Sequence, residues 1–168
     1  MIILGIDPGI ASCGWAVIEA IKNDTKCHPD ESQGLKIKNC GVIKTPPSET
    51  LGKRLVIINS ELEKIIQEFK PVAAAIEEIF FAKNVKTAIT VSQARGVIVL
   101  TCAKMGLGVC EFTPLQVKQA LTGYGQADKS QVGFMVKNIL KLKELPKDDN
   151  TIDALAIGIC SAHSYKNL

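Results

Sequence analysis

Carboxylates that close apolar runs are the residues of this sequence with chemical potential. Asp7 ends IILGID, Glu77 and Glu78 interrupt VAAAIEEIF, and Asp153 stands within DDNTIDALAIG. A carboxylate among apolar neighbours is costly unless it is paired or metal-bound. No lysine or arginine adjoins Asp7, Glu77 or Asp153 in the sequence. Any one of them could simply cap a helix or bond a turn amide. As a set they read differently, because strands one and four can lie side by side and a helix packed on that edge can add Asp153. Hard oxygens from separate elements suit Mg²⁺ or Mn²⁺, which keep several waters and bind substrate phosphate. Two such ions ~4 Å apart can clamp a phosphodiester and activate a water. The chemistry implied is metal-assisted hydrolysis of a nucleic-acid strand. Pro8-Gly9 then turns the backbone away after Asp7 and leaves room for metal and phosphate.

The elements that must hold these groups follow from periodicity. Residues 1–7, 13–20 and 37–44 read as three strands of an antiparallel meander, with the polar stretch 22–36 as an exposed hairpin tip. Leu51, Leu55, Ile58, Leu62, Ile65, Ile66 and Phe69 alternate steps of three and four, which predicts an amphipathic helix ended by Pro71. VAAAIEEIF is short and apolar, as a buried parallel strand should be. A long helix is expected over 84–105, with Ala88, Val91, Ala94, Val97 and Ile98 on one face, and GVCEFTP is the fifth strand. Thr113-Pro114 opens a short helix. Asp128 with Gln131 forms a capping-box pattern for a helix to about Leu142, and a last helix runs from Asp149–Asn150 to about His163. The expectation is one α/β domain over 1–168, a five-stranded mixed sheet (antiparallel meander, then parallel strands) flanked by helices.

Composition narrows the class. With 168 residues and 46% hydrophobic content, the chain suits a single full core. No apolar run reaches the ~18 residues of a membrane span, and the start lacks the charge of a signal peptide, so a cytoplasmic location is expected. Six cysteines, none in a CxxC pair, and two histidines argue against zinc and against a disulfide framework. A net charge of +3 permits a nucleic-acid partner without demanding one.

GIDPG, AIEEIFFAKN, QARGV, QVKQALTGYGQADKSQV and DALAIG occur in that order along nearly the whole chain. Together they resemble the bacterial RuvC family of Holliday-junction resolvases, whose fold is ribonuclease H-like. The resemblance implies a Mg²⁺-dependent homodimer that nicks two like-polarity strands of a four-way DNA junction and works with a branch-migration helicase. It assigns catalytic, metal-holding roles to Asp7, Glu77 and Asp153. The remaining metal-site acid falls on Asn150, where the family carries Asp or His; an amide oxygen can ligate but brings no charge. Asp149, four residues before Asp153, shares its helical face and is an alternative ligand. Phe80 matches an aromatic at the junction centre, and Lys118 and Lys129 match catalytic, DNA-contacting cations near the scissile phosphate. Lys83, Lys86 and Arg95 extend the phosphate-contacting surface. The 84–105 helix is the candidate dimer element.

Two rivals remain at this level. A strand-ending Asp before Gly also opens the phosphate loop of actin- or hexokinase-like ATPases, but those repeat the motif in a second lobe, and this sequence has no second copy. The other rival is a junction-binding protein with weak or no cleavage, which the Asn150 departure would produce.

Overall fold

The computed structural model describes residues 1–21, 34–78 and 85–164. Five strands, β1 (Ile2–Asp7), β2 (Ser12–Ala20), β3 (Leu35–Lys44), β4 (Ala73–Glu77) and β5 (Gly108–Phe112), form one sheet in the order β3-β2-β1-β4-β5. The β1–β2 and β2–β3 pairs are antiparallel, whereas β1–β4 and β4–β5 are parallel. The expected meander-then-parallel sheet is the one found, and the fold is ribonuclease H-like.

Helices α1 (Leu51–Phe69) and α2 (Val85–Lys104) pack on one side of the sheet. Helices α3 (Pro114–Thr122), α4 (Lys129–Ile139) and α5 (Asp149–Ser164) occupy the other. Strand parity splits the core accordingly. Leu4, Ile6, Ala74 and Ile76 meet Ile58, Leu62, Ala94 and Ile98 on the α1–α2 side. Ile3 and Ala75 meet Leu155, Ile159 and Val132 on the α5 side. Since side chains alternate along a strand, Asp7 shares a face with Ile3, and Glu77 with Ala75. Both carboxylates therefore point to the side on which α5 lies.

Close backbone approach fixes α5 over this face. A Cβ on Gly5 would strike the Ala154 carbonyl and come within 2.7 Å of the Gly158 nitrogen; one on Gly14 would strike the Asn150 carbonyl. Only glycine permits these approaches. Because Asp7 is paired with Gly14 across the β1–β2 ladder, the contact at Gly14 sets the first turn of α5 beside Asp7.

Several boundaries differ from the sequence reading. β3 begins at Leu35 rather than 37, its Leu35 paired with Ala20. β4 stops at Glu77, although the Glu78 amide still donates to the Phe112 carbonyl at 2.8 Å. β5 ends at Phe112 because Thr113 serves instead as N-cap of α3, in a full capping box with Gln116. The Asp128–Gln131 capping box is present, but α4 stops at Ile139, before Lys141 takes a left-handed φ of 51°. Of the 22–36 hairpin, residues 22–33 lie outside the described residues. Among the described residues, no helix is long and apolar enough to cross a membrane.

Candidate active site

Three elements deliver the acids. β1 and β4 are parallel neighbours with Ile6 opposite Ile76, so the next residues, Asp7 and Glu77, end adjacent strands on one face. Asp153 descends from α5 immediately before Ala154, which the Gly5 contact locks against the sheet. Burial raises the Asp7 carboxyl to about 7, with further upward pushes from the charges of Glu77 and Asp153. Glu77 is likewise raised to about 7, first by burial and then by Asp153, against opposing pulls from Lys129 and Lys118. Asp153 is also raised, chiefly by burial, despite its contact with Lys129.

Two lysines complete the cleft. Glu77, Lys118, Lys129 and Asp153 line an open hollow of about 270 Å³ with Pro114, Val117, Val132 and Ala156 as its apolar wall. Lys129 stands at the first position of α4, behind the Asp128 cap, and its Nζ lies 3.4 Å from Asp153 Oδ2 and 3.7 Å from Asp149 Oδ2. The charge of Asp153 raises the Lys129 pKa. Lys118 projects from α3, whose start the Thr113 capping box fixes.

Asn150 is tied to β2 and to the residue before its own helix. Its Nδ2 donates to Ser12 Oγ at 2.9 Å, and its backbone amide donates to Asp148 Oδ1 at 3.0 Å. Asp149, weighed above as a replacement ligand, is an exposed partner of Lys129. Asp148 was missed by sequence reasoning. It accepts from the Asn150 amide at the N-terminus of α5, and its charge adds to those that raise Asp7. An Asp directly before a helix start is the N-cap signature that could have revealed it. Ser12 was missed too, and nothing in its local sequence announces a contact with residue 150.

The remaining expectations separate. Arg95 does not line the cleft; its Nη2 pairs with Glu111 of β5 at 2.7 Å, so its charge is already partnered. Phe80 and Lys83 lie outside the described residues, and Lys86 is placed only by the backbone of the first turn of α2.

The donor set fits a divalent cation by chemistry. It consists of hard, half-buried oxygens, and burial first, then the repulsion of neighbouring acids, raises Asp7 and Glu77 to about 7. A cation at their centre would relieve that cost. Among the described residues, no three His, Cys, Asp or Glu side chains are gathered tightly enough to enclose a metal ion.

A mixed sheet with acids at the ends of its central parallel strands, a third acid on the covering helix and two lysines at the rim defines a phosphodiester-cleaving site of the ribonuclease H-like class. Comparison with known proteins narrows this. The family model "Crossover junction endodeoxyribonuclease RuvC" matches residues 3–161. Relatives of that name from Finegoldia magna and Clostridioides difficile are 49% and 48% identical over 166 residues, covering 99% of this chain and 95% and 92% of theirs. The solved structure of Thermus thermophilus RuvC in complex with Holliday junction substrate superposes with a TM-score of 0.88 at 33% identity, over 99% of this chain and 96% of that one. The yeast mitochondrial Holliday junction resolvase, at 14% identity and a TM-score of 0.66, shares the fold. The chain belongs to the RuvC family.

Proposed function

We propose that this protein is a structure-selective endonuclease that resolves four-way (Holliday) DNA junctions by paired, divalent-metal-dependent nicks during recombination and repair. The observation that carries this reading is the convergence of Asp7, Glu77 and Asp153 from three elements beside Lys118 and Lys129. The metal is Mg²⁺, with Mn²⁺ as a substitute, held by Asp7, Glu77 and Asp153 and only weakly supported by Asn150. When bound, it supplies neutralisation of phosphate charge and a more acidic water. Lys118 and Lys129 hold the scissile phosphate from the rim and offset charge that develops on its oxygens. Lys129, now paired with Asp153 at 3.4 Å, would be freed for this role if the acids held a cation. Phe80 stacks at the junction centre, and Lys83 and Lys86 contact phosphates, all from the segment that follows β4.

The protein acts as a homodimer, because symmetric incision of a two-fold junction needs two sites related by a two-fold axis. Helix α2 supports this. It buries Ala88, Ala94, Ile98 and Cys102 against its own core while Ile89 and Leu100 stay exposed on another face. Gly96 lies between them with open space above it. Each chain contributes one nuclease domain over 1–168, working in the cytoplasm beside a branch-migration helicase.

The test is incubation of the purified protein with a synthetic four-way junction, one strand labelled at a time, across a Mg²⁺ titration. Symmetric nicks in opposing strands are expected. Tight junction binding without nicks at any Mg²⁺ concentration would leave the binding-only reading in place.

A further inference from the structure

A second groove, of about 610 Å³, lies on the other side of the start of α4 from the acidic cleft. Lys129 and Val132 face the cleft, whereas Ser130, Gln131, Phe134 and Met135 face the groove. Tyr124, from the α3–α4 loop, forms its opposite wall. Tyr124 and Phe134 are 60% and 63% exposed, which is unusual for aromatic side chains with no structural partner on that side.

The loop that presents Tyr124 is held rigidly. The single proton of Thr122 Oγ1 is shared between the Lys118 carbonyl at 2.8 Å and the Tyr124 carbonyl at 3.0 Å, and the oxygen accepts from the Tyr124 amide at 3.0 Å. Gln119 Nε2 donates to the Gly123 carbonyl at 2.8 Å, and Gly123 caps α3 with a left-handed φ of 72°. One hydroxyl thus ties the turn that carries Lys118 to the backbone of Tyr124. Two of the groove's polar side chains are engaged with the α4 cap: Gln131 closes the Asp128 capping box, and Ser130 donates to Asp128 at 2.7 Å. What the groove presents to a ligand is therefore chiefly aromatic and apolar surface.

We propose that the groove between Tyr124 and Phe134 receives an unstacked nucleobase of the strand whose phosphate enters the cleft. This rests on the junction-cleaving reading above. Continuity favours a nucleic acid over a protein here, because Lys118 and Tyr124 come from α3 and the loop that follows it, and Lys129 and Phe134 both come from α4. A strand held by Lys118 and Lys129 that continues past α4 brings its next bases over the groove. Stacking on an aromatic face tolerates any base, so the groove contributes affinity and register, and base identity is read elsewhere.

The experiment uses full-length protein and four-way junctions carrying single abasic or 2-aminopurine positions on either side of the cleavage point. With wild-type protein, one position near the cut is expected to show quenched 2-aminopurine fluorescence on binding. An abasic site at that position should weaken binding about tenfold. Tyr124→Ala and Phe134→Ala should each abolish the quenching, weaken binding to the intact junction by a similar factor, and lose no further affinity on the abasic junction. Tyr124→Phe should restore wild-type behaviour. Thermal melting checks that both alanine variants stay folded, as their exposure predicts. If wild-type protein resolves junctions and the alanine variants match it in affinity, quenching and abasic sensitivity, the groove assignment is wrong and the surface serves a protein. If wild-type protein does not distinguish a four-way junction from duplex DNA, the functional reading fails and this proposal with it.

Discussion

Asn150 Nδ2 donates to Ser12 Oγ at 2.9 Å, tying the first turn of α5 to the start of β2. The neutral side chain thereby occupies the helix-terminal place to which the proposed function assigns a metal ligand. The helix N-terminus favours an anion there, and a carboxylate could keep Ser12 as a hydroxyl donor while lending charge to a metal. Asn150→Asp is therefore expected to raise the Mg²⁺-dependent cleavage rate by roughly ten- to a hundredfold, equivalent to about 1.4–2.7 kcal/mol. Asp149→Ala should change the rate little, since Asp149 is an exposed partner of Lys129. Single-turnover cleavage of both variants over a Mg²⁺ series decides. The reverse pattern, with Asp149→Ala inactive and Asn150→Asp unchanged, would move the ligand role to Asp149.

Asp7→Asn should remove strand cleavage while leaving junction affinity within a few-fold of wild type. Asp7 sits among the acids, whereas cations on phosphates supply most of the binding energy to DNA. Gel-shift and cleavage assays on one preparation give both quantities. Normal cleavage by this variant would eliminate Asp7 from the site.

The sheet was largely legible because each strand is a short apolar run and the meander turns are marked by glycine, proline and polar residues. The same runs exposed Asp7 and Glu77 as anomalies, and parity alone suffices to put both on one face. That α5 could pack on this edge and add Asp153 was legible, but how closely it approaches was not, because it depends on backbone contact at Gly5 and Gly14 with residues over a hundred positions away. For the same reason the Ser12 contact of Asn150 was invisible. Arg95 shows the same limit: its ion pair with Glu111 arises because parallel pairing brings β5 under α2, and nothing in the local sequence announces it. Local pattern predicts elements; which charges meet across elements is settled only by packing.

The Gly5 contact makes a stability prediction. Gly5→Ala forces its Cβ against the Ala154 carbonyl and the Gly158 nitrogen, both backbone atoms that cannot swing aside. A loss of about 1–3 kcal/mol is expected, as for other overpacked cores. Displacement of α5 should also carry Asp153 away from Asp7 and depress cleavage beyond what the lost stability explains. Gly52→Ala, where a Cβ meets open space on α1, is the control and should be neutral or slightly stabilising. Urea unfolding of the two variants makes the comparison.

Leu100→Asp tests the α2 face. Leu100 is 58% exposed, so the monomer fold should survive with an unchanged circular dichroism spectrum. If α2 mediates the dimer, light scattering at micromolar concentration should shift from twice the chain mass to 18.1 kDa. Paired nicks should then become uncoupled single nicks. A variant that remains dimeric places the interface on another surface.

The clustered acids make the metal-free protein sensitive to pH in a definite direction. Asp7 is raised from 3.8 to about 7, and Glu77 from 4.5 to about 7. Between pH ~4 and ~7 the folded state keeps protons that the unfolded chain has released. Unfolding then releases protons, so stability falls as pH rises through this window and levels off above it. The acids repel one another and are only partly shielded from water, so the loss should total on the order of 3 kcal/mol rather than the sum of two independent shifts. Asp7→Asn should remove much of this slope and make the metal-free protein more stable than wild type at pH 8. A divalent ion that binds only the folded state should restore wild-type stability at pH 8, by about 2.7 kcal/mol at a hundredfold excess over its Kd. Urea midpoints from pH 4.5 to 8.5, in chelator and in saturating Mg²⁺, separate the contributions. A flat pH profile in chelator, or an equal response to Mg²⁺ in wild type and Asp7→Asn, would mean that Asp7 and Glu77 do not form the charged, metal-ready cluster inferred from their burial.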